Sequence, residues 1–184
     1  MAMRDWIWDG GRASVDLVNT LRDRKTGARE LLDEADALAE WLRLAELADV
    51  TAAQALPYLR AARELRETID RVLRGQLDEA DVDALNAWAA RHHQPPLQLR
   101  LTPRREPVAH VPAPEEPVAS ALGAAAADAI KLLLEPSAIR ICASDTCGLR
   151  FVDRSPARNR QWCSMARCGN RAKARQHYAR HKTT

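Results

Sequence analysis

The sequence predicts an α+β chain in two parts: a predominantly helical body with a small antiparallel sheet over residues 1–137, and a small cysteine-bearing module over 138–184. Three observations lead there. Apolar residues recur at steps of three and four through most of the body, the period of helices that bury one face. Between Leu97 and Leu101 they alternate with polar residues instead, the period of a strand. All 4 cysteines lie between positions 142 and 168, in a segment whose charge opposes that of the body. Residues 1–141 carry 18 Lys and Arg against 23 Asp and Glu, a net of −5, whereas residues 142–184 carry 10 against 2, a net of +8. Positive charge confined to one end describes an acidic body with a polyanion-binding tail.

Taken in order, Trp6-Ile7-Trp8 closed by Asp9-Gly10-Gly11 reads as a short strand and a turn. Ser14 is placed to cap a short helix with Val15, Val18 and Leu21 at helical spacing. On that helix Asp16, Asn19 and Thr20 converge on one face. They read either as a solvated or capping face or as a small polar ligand site beside the Gly10-Gly11 turn. Asp33 starts a second helix with the apolar stripe Ala37, Leu38, Trp41, Leu42 and Ala45. Thr51 and Gln54 form a capping-box pair that opens a longer helix through Leu56, Leu59, Ala62, Leu65, Ile69 and Val72. Pro57, near its start, kinks the first turns without ending it. Arg60, Arg63, Arg66 and Arg74, interleaved with acids, belong on its solvated face.

Gly75 stops this helix, and Asp78 caps a fourth that turns Val82, Leu85 and Trp88 inward. His92-His93 at its end complement the helix dipole. Leu97, Leu99 and Leu101 make a strand with one buried face, and Val108 to Val111 its return strand. After a proline-marked loop, an alanine-rich helix runs over residues 118–134. Pro136 ends it, and Ala138 to Ile141 leads as a strand into Cys142.

Several classes are set aside by what the chain lacks. No positive n-region followed by an apolar run opens the sequence, so no secretory signal is read. The apolar run from Leu122 to Leu134 is too short to span a bilayer and is interrupted by Asp128 and Lys131. A soluble, cytoplasmic protein without membrane contact is expected. No phosphate-binding glycine loop, nucleophile elbow or helical zinc-protease motif is present, so the chain is not read as an enzyme.

The cysteines form two pairs, Cys142 with Cys147 and Cys163 with Cys168, each enclosing four residues. Reduced cytoplasmic thiols favour metal ligation over disulfides, which would need an oxidising compartment. The spacing is wrong for a redox dithiol and gives no support to an iron–sulfur cluster. One structural Zn²⁺ per chain, held tetrahedrally by Cys142, Cys147, Cys163 and Cys168, accounts for all four. The first pair follows a strand and ends on Gly148, with Phe151 and Val152 as the return strand. The second runs into a helix, which makes the module treble-clef-like. So small a segment cannot bury much of a core, and the ion is expected to drive its folding.

Residues 142–181 resemble the CGNR zinc finger, whose name stands literally as Cys168-Gly169-Asn170-Arg171. Arg160-Gln161-Trp162-Cys163-Ser164-Met165 precedes it, Ala172-Lys173-Ala174 follows, and Phe151-Val152-Asp153 matches the stretch between the pairs. The body resembles the stress-induced transcription regulator (ABATE-type) domain through Asp16-Leu17-Val18-Asn19-Thr20. The resemblance implies nucleic-acid binding and transcription regulation, with the body sensing a signal or mediating homodimer formation. Residue chemistry agrees. Arg167, Arg171 and Arg175 recur every four residues on one side of the last helix, and Lys173 and Arg180 form an adjacent stripe. Arg158 and Arg160 add guanidinium groups from the preceding loop, and Asn170 and Arg171 sit at the helix start, where a base or phosphate is most easily met. Duplex DNA is the expected partner. An RNA- or ribosome-associated module would use the same cations on A-form backbone. A nuclease would need His177 or His181 as a base, and both lie far from the knuckle.

Overall fold

The computed structural model describes residues 4–135 and 138–181, without the side chains of residues 138, 176, 177 and 179–181. Trp6-Ile7-Trp8 is not a strand there. It is an irregular strap that runs along the molecule, with Trp8 stacked on Trp41 at 6.0 Å between ring centroids.

Helix α1 (Ala13–Val18) follows, and its cap differs from the expected one. Ser14 lies inside the first turn, where its N–H and hydroxyl both donate to Asp128 Oδ2, at 3.0 and 2.6 Å. The carboxylate thus arrives from another helix and serves an orphan N-terminal donor, as a capping side chain would. Two short strands, β1 (Leu21–Arg22) and β2 (Arg29–Glu30), pair antiparallel and were not legible from the pattern. Helix α2 (Ala35–Leu44) begins two residues after Asp33.

The Thr51–Gln54 capping box is formed in both directions. The helix it opens is split: α3 (Ala52–Ala55) passes through a 3₁₀ turn at Leu56–Tyr58, which holds Pro57, into α4 (Leu59–Leu73). Arg66, expected on the outer face of α4, is only 3% exposed. Its guanidinium grips Glu30 at 2.6 and 2.8 Å, bracing the β1–β2 ribbon against α4. Asp78 caps α5 (Glu79–Ala89) by accepting the Asp81 N–H at 2.8 Å.

Strands β3 (Gln98–Leu101) and β4 (Pro107–His110) form the expected hairpin, with Leu99 opposite Ala109 and Leu101 opposite Pro107. Its apolar face is not buried: Leu97, Leu99 and Leu101 are 71%, 76% and 56% exposed. The alternation gave the strand correctly, but no helix among the described residues covers it.

Helix α6 (Pro117–Leu134) is the centre of the body, touching α1, α4 and α5. Val118, Ala121, Leu122, Ala125, Ala126, Ala129 and Leu132 are buried along it, facing Val15, Leu65, Ile69 and Leu85 in one cluster. Each large aliphatic side chain so buried contributes roughly 1.5–3 kcal/mol. Gly123 lets the end of α5 cross closely, since a Cβ there would stand 2.5 Å from the His92 nitrogen and 2.7 Å from the Trp88 carbonyl. With 18 residues, α6 is longer than the apolar run read from the sequence and matches a membrane span by length and composition. It is the core helix instead, wrapped by its neighbours.

The chain ends in β5 (Ala138–Ile141), β6 (Arg150–Asp153) and α7 (Asn170–His181), with β5 and β6 antiparallel. All four residues of β6 are buried.

Candidate metal centre and basic helix

Two claws meet because backbone bonds hold them. The β5–β6 hairpin carries the first across its tip, where the Cys142 N–H donates to the Leu149 carbonyl at 2.8 Å. The Ala143 N–H donates to the Gln161 carbonyl at 2.8 Å and ties in the second. There Ser164 starts a π turn: the Cys168 and Gly169 N–H groups both bond its carbonyl at 3.0 Å. The turn places Cys168 before α7, with the end of the Met165 side chain folded against Gly169.

The four Sγ atoms of Cys142, Cys147, Cys163 and Cys168 lie within 4.8 Å of one another. Cys147 and Cys163 are 3.7 Å apart, and Cys163 and Cys168 3.8 Å. Sulfurs at about 2.3 Å from a tetrahedral zinc stand about 3.8 Å from each other. The spacing therefore fits one Zn²⁺ and is far beyond a disulfide. Thiol chemistry agrees. Hydrogen bonding with Cys142 pushes Cys147 up to about 11 and raises Cys163 as well, whereas the bond from Cys147 lowers Cys142. Thiols crowded this way resist losing all their protons together unless a cation offsets the charge, which a divalent ion does. Four protein ligands would close its coordination, so the ion is a frame and not a reaction centre.

The centre is shared with the body. Phe151, Leu149 and Ile7 are buried with three of the cysteines, so the N-terminal strap plugs the finger's small core. The Lys25 ammonium reaches across from the body to the Cys142 and Ser144 carbonyls, at 2.8 and 2.9 Å. Val152, in turn, belongs to the body's core.

Asp16, Asn19 and Thr20 sit in this seam, each with internal partners. The Asn19 amide brackets Arg150 like a neighbouring strand: Nδ2 donates to its carbonyl at 2.8 Å, and Oδ1 accepts its N–H at 2.9 Å. The Val152 N–H continues the pattern, donating to the Gly10 carbonyl at 3.0 Å. Asp16 accepts the Gly10 N–H at 2.8 Å. Burial pushes its carboxyl up to about 7, aided by Asp128 and opposed by that N–H. Thr20 donates to the Leu17 carbonyl at 2.7 Å and accepts from Arg66 at 3.2 Å. Of the three, Asn19 latches the finger to the body, while Asp16 ties down the Gly10 turn and Thr20 meets Arg66 of α4.

Arg150 is the residue that the sequence reading missed. Only 7% exposed, it clasps Asp70 on α4 with two bonds of 2.7 and 3.0 Å. No local pattern could have paired residues 80 apart in the chain.

The predicted basic surface divides in two. Arg160 stacks its guanidinium 4.8 Å from the Phe151 ring centre and donates to the Trp162 carbonyl at 2.7 Å and to the Cys163 carbonyl. Arg167 pairs with Asp9 of the strap, and Arg175 with Asp145 at 3.3 Å. Arg158, Asn170, Arg171 and Lys173 are exposed, and Arg160 and Arg175 are exposed as well despite their contacts. Arg171 Nε bonds the Arg167 carbonyl at 2.6 Å. Asp153 anchors the loop bearing Arg158, accepting from the Ser155 hydroxyl at 2.6 Å and the Arg160 N–H at 2.9 Å; these bonds, the Ser155 hydroxyl's foremost, hold its carboxyl down to about 2. Arg180 lies outside the described side chains.

A helical body carrying a four-cysteine finger, with a basic helix issuing from the last ligand, defines a zinc-finger protein by fold and site. Residues 138–181 match the family described as the CGNR zinc finger. Residues 11–136 match the ABATE family, described as a putative stress-induced transcription regulator. That second match covers more than half of the chain, and the chain belongs to this family. No curated protein matches it.

Proposed function

We infer that the protein is a cytoplasmic, stress-linked transcription regulator that binds duplex DNA through its finger, and that it has no catalytic activity. In this reading residues 1–137 act as the part that senses a signal or joins two copies, and residues 138–184 as the part that binds. The observation that carries it is the position of Asn170, Arg171 and Lys173: exposed, within the first turn after the last ligand, with Arg158 on the adjoining loop. A metal frame that turns a helix start and its cations outward is built to meet a phosphate backbone. Arg160 stays exposed beside its Phe151 contact and Arg167 is held by Asp9, and Arg175 joins the surface when Asp145 is displaced.

The test is a gel shift of the full zinc-loaded chain on duplex DNA at two salt concentrations, with structured RNA as competitor. The full chain is required because Ile7, Lys25 and Asp70 complete the finger. Retarded DNA that the RNA cannot displace is the expected result. Preferential loss to RNA would move the target to A-form backbone, and no shift at low salt would refute the reading.

A further inference from the structure

We propose that the β3–β4 hairpin joins two copies of the chain by antiparallel pairing of β3 with β3 of the second copy, centred on Leu99. This develops the pairing role given above to the body and is independent of what the finger binds.

The ladder shows which edge is available. Thr102 donates its N–H to the Glu106 carbonyl at 3.0 Å, so these two close the hairpin as a hydrogen-bonded pair. Pairs alternate along an antiparallel ladder. Arg100 with Val108 and Gln98 with His110 are therefore bonded to each other, whereas Leu99 opposite Ala109 and Leu101 opposite Pro107 turn their backbone groups outward. On the β3 side this presents the N–H and C=O of Leu97, Leu99 and Leu101, which bond no other element among the described residues. The β4 side is interrupted by Pro107, which has no N–H to offer. One edge is open and the other is obstructed.

The open edge is a palindrome. Residues 97–101 read Leu-Gln-Leu-Arg-Leu, the same apolar–polar pattern in either direction. A two-fold axis at Leu99 sets Leu99 against Leu99, Leu97 against Leu101 and Gln98 against Arg100. Because opposite residues share a face, all six leucines gather on one side and the amide–guanidinium pairs on the other. No like charges stand directly opposite. A shift of one residue in the pairing would put leucine against polar partners and break the match. Exposures of 71%, 76% and 56% at these leucines are those of an apolar ribbon with nothing laid over it in the single chain. A lone two-stranded hairpin is marginal in water, and a four-stranded sheet across two copies removes that weakness. A partner of unrelated sequence would not need the palindrome; a second copy does.

Strand pairing of this length lies at the small end of interface sizes, so the association is concentration-dependent. Sedimentation of the zinc-loaded full chain should show the mass doubling as concentration rises. Leu99→Lys, which sets two like charges on the axis, should remain monomeric at every concentration with an unchanged far-UV spectrum, since Leu99 is exposed. Register is read by mild oxidation with the zinc site filled and wild type as background. Leu99→Cys should cross-link by itself, Leu101→Cys should not, and Leu97→Cys/Leu101→Cys should. A wild-type chain monomeric throughout, or Leu101→Cys cross-linking as readily as Leu99→Cys, would overturn the pairing. A monomer that still shifts DNA would overturn it alone and leave the function of the finger standing.

Discussion

Replacing Asp70 with leucine tests how firmly the finger is bound to the body. Asp70 and Arg150 have side chains 4% and 8% exposed and share two short bonds. Asp70 also lies 3.2 Å from Arg74 and 3.8 Å from Arg24, so one carboxylate serves three guanidinium groups. Breaking a buried pair by removing one partner costs about 3–5 kcal/mol, because the surviving charge is left without compensation. Here the survivor is Arg150, whose pKa is already lowered by burial and held up by Asp70. For a chain of this size each kcal/mol moves Tm by about 2–4 °C, so Asp70→Leu should melt roughly 6–20 °C lower. Urea unfolding of the zinc-loaded protein followed by circular dichroism gives the free energy directly. Arg150→Met made together with Asp70→Leu should recover much of the loss, since an apolar pair of similar volume is often as stable as a buried ion pair. A single Asp70→Leu variant within about 1 kcal/mol of wild type would show that the pair does not hold the two parts together.

Cys163→Ser should abolish tight zinc binding, measured as metal per chain after dialysis, and should destabilise the body too, because Val152 belongs to its core. Asn19→Ala leaves both backbone groups of Arg150 unpaired and should cost about 2–4 kcal/mol in urea unfolding. Asp16 has a folded-state pKa raised to about 7 from 3.8, so its contribution is fully present below pH 3.8 and is lost as pH rises toward 7; Asp16→Asn should flatten the stability profile across that window. If Arg158, Arg171 and Lys173 each neutralise one phosphate, log K should fall against log salt with a slope of about −2.7, and Lys173→Ala should lower its magnitude by about 0.9.

Sequence reading succeeded where a short motif carries its own partners, and failed locally at Trp6-Ile7-Trp8, which is not a strand, and at Ser14, which does not cap α1. The Thr51–Gln54 box and the Asp78 cap depend on residues three apart, and both are formed. The cysteine spacing carried its chemistry in the same way. What also failed was burial, which depends on partners elsewhere in the chain. Leu97, Leu99 and Leu101 alternate as a buried face would, yet no helix among the described residues lies over them. Arg66 follows the spacing of the outer arginines, yet Glu30 draws it inward. Asn19 looked like part of a pocket because its partner, Arg150, is 131 residues away. Within the basic surface, Arg160 and Arg167 meet Phe151 and Asp9, contacts that charge counting cannot see.

Ile7 sits among the cysteine ligands and Phe151, so a residue synthesised more than 130 positions before its partners waits for them. During translation the strap must remain unengaged while the helices behind it form, and it can lock only after Cys168 has emerged and an ion has been captured. Contacts of such sequence separation form slowly. The supply of zinc to the nascent chain would then set the pace at which strap and finger close, and a cell short of the metal would accumulate chains whose strap and finger stay unengaged, open to proteases.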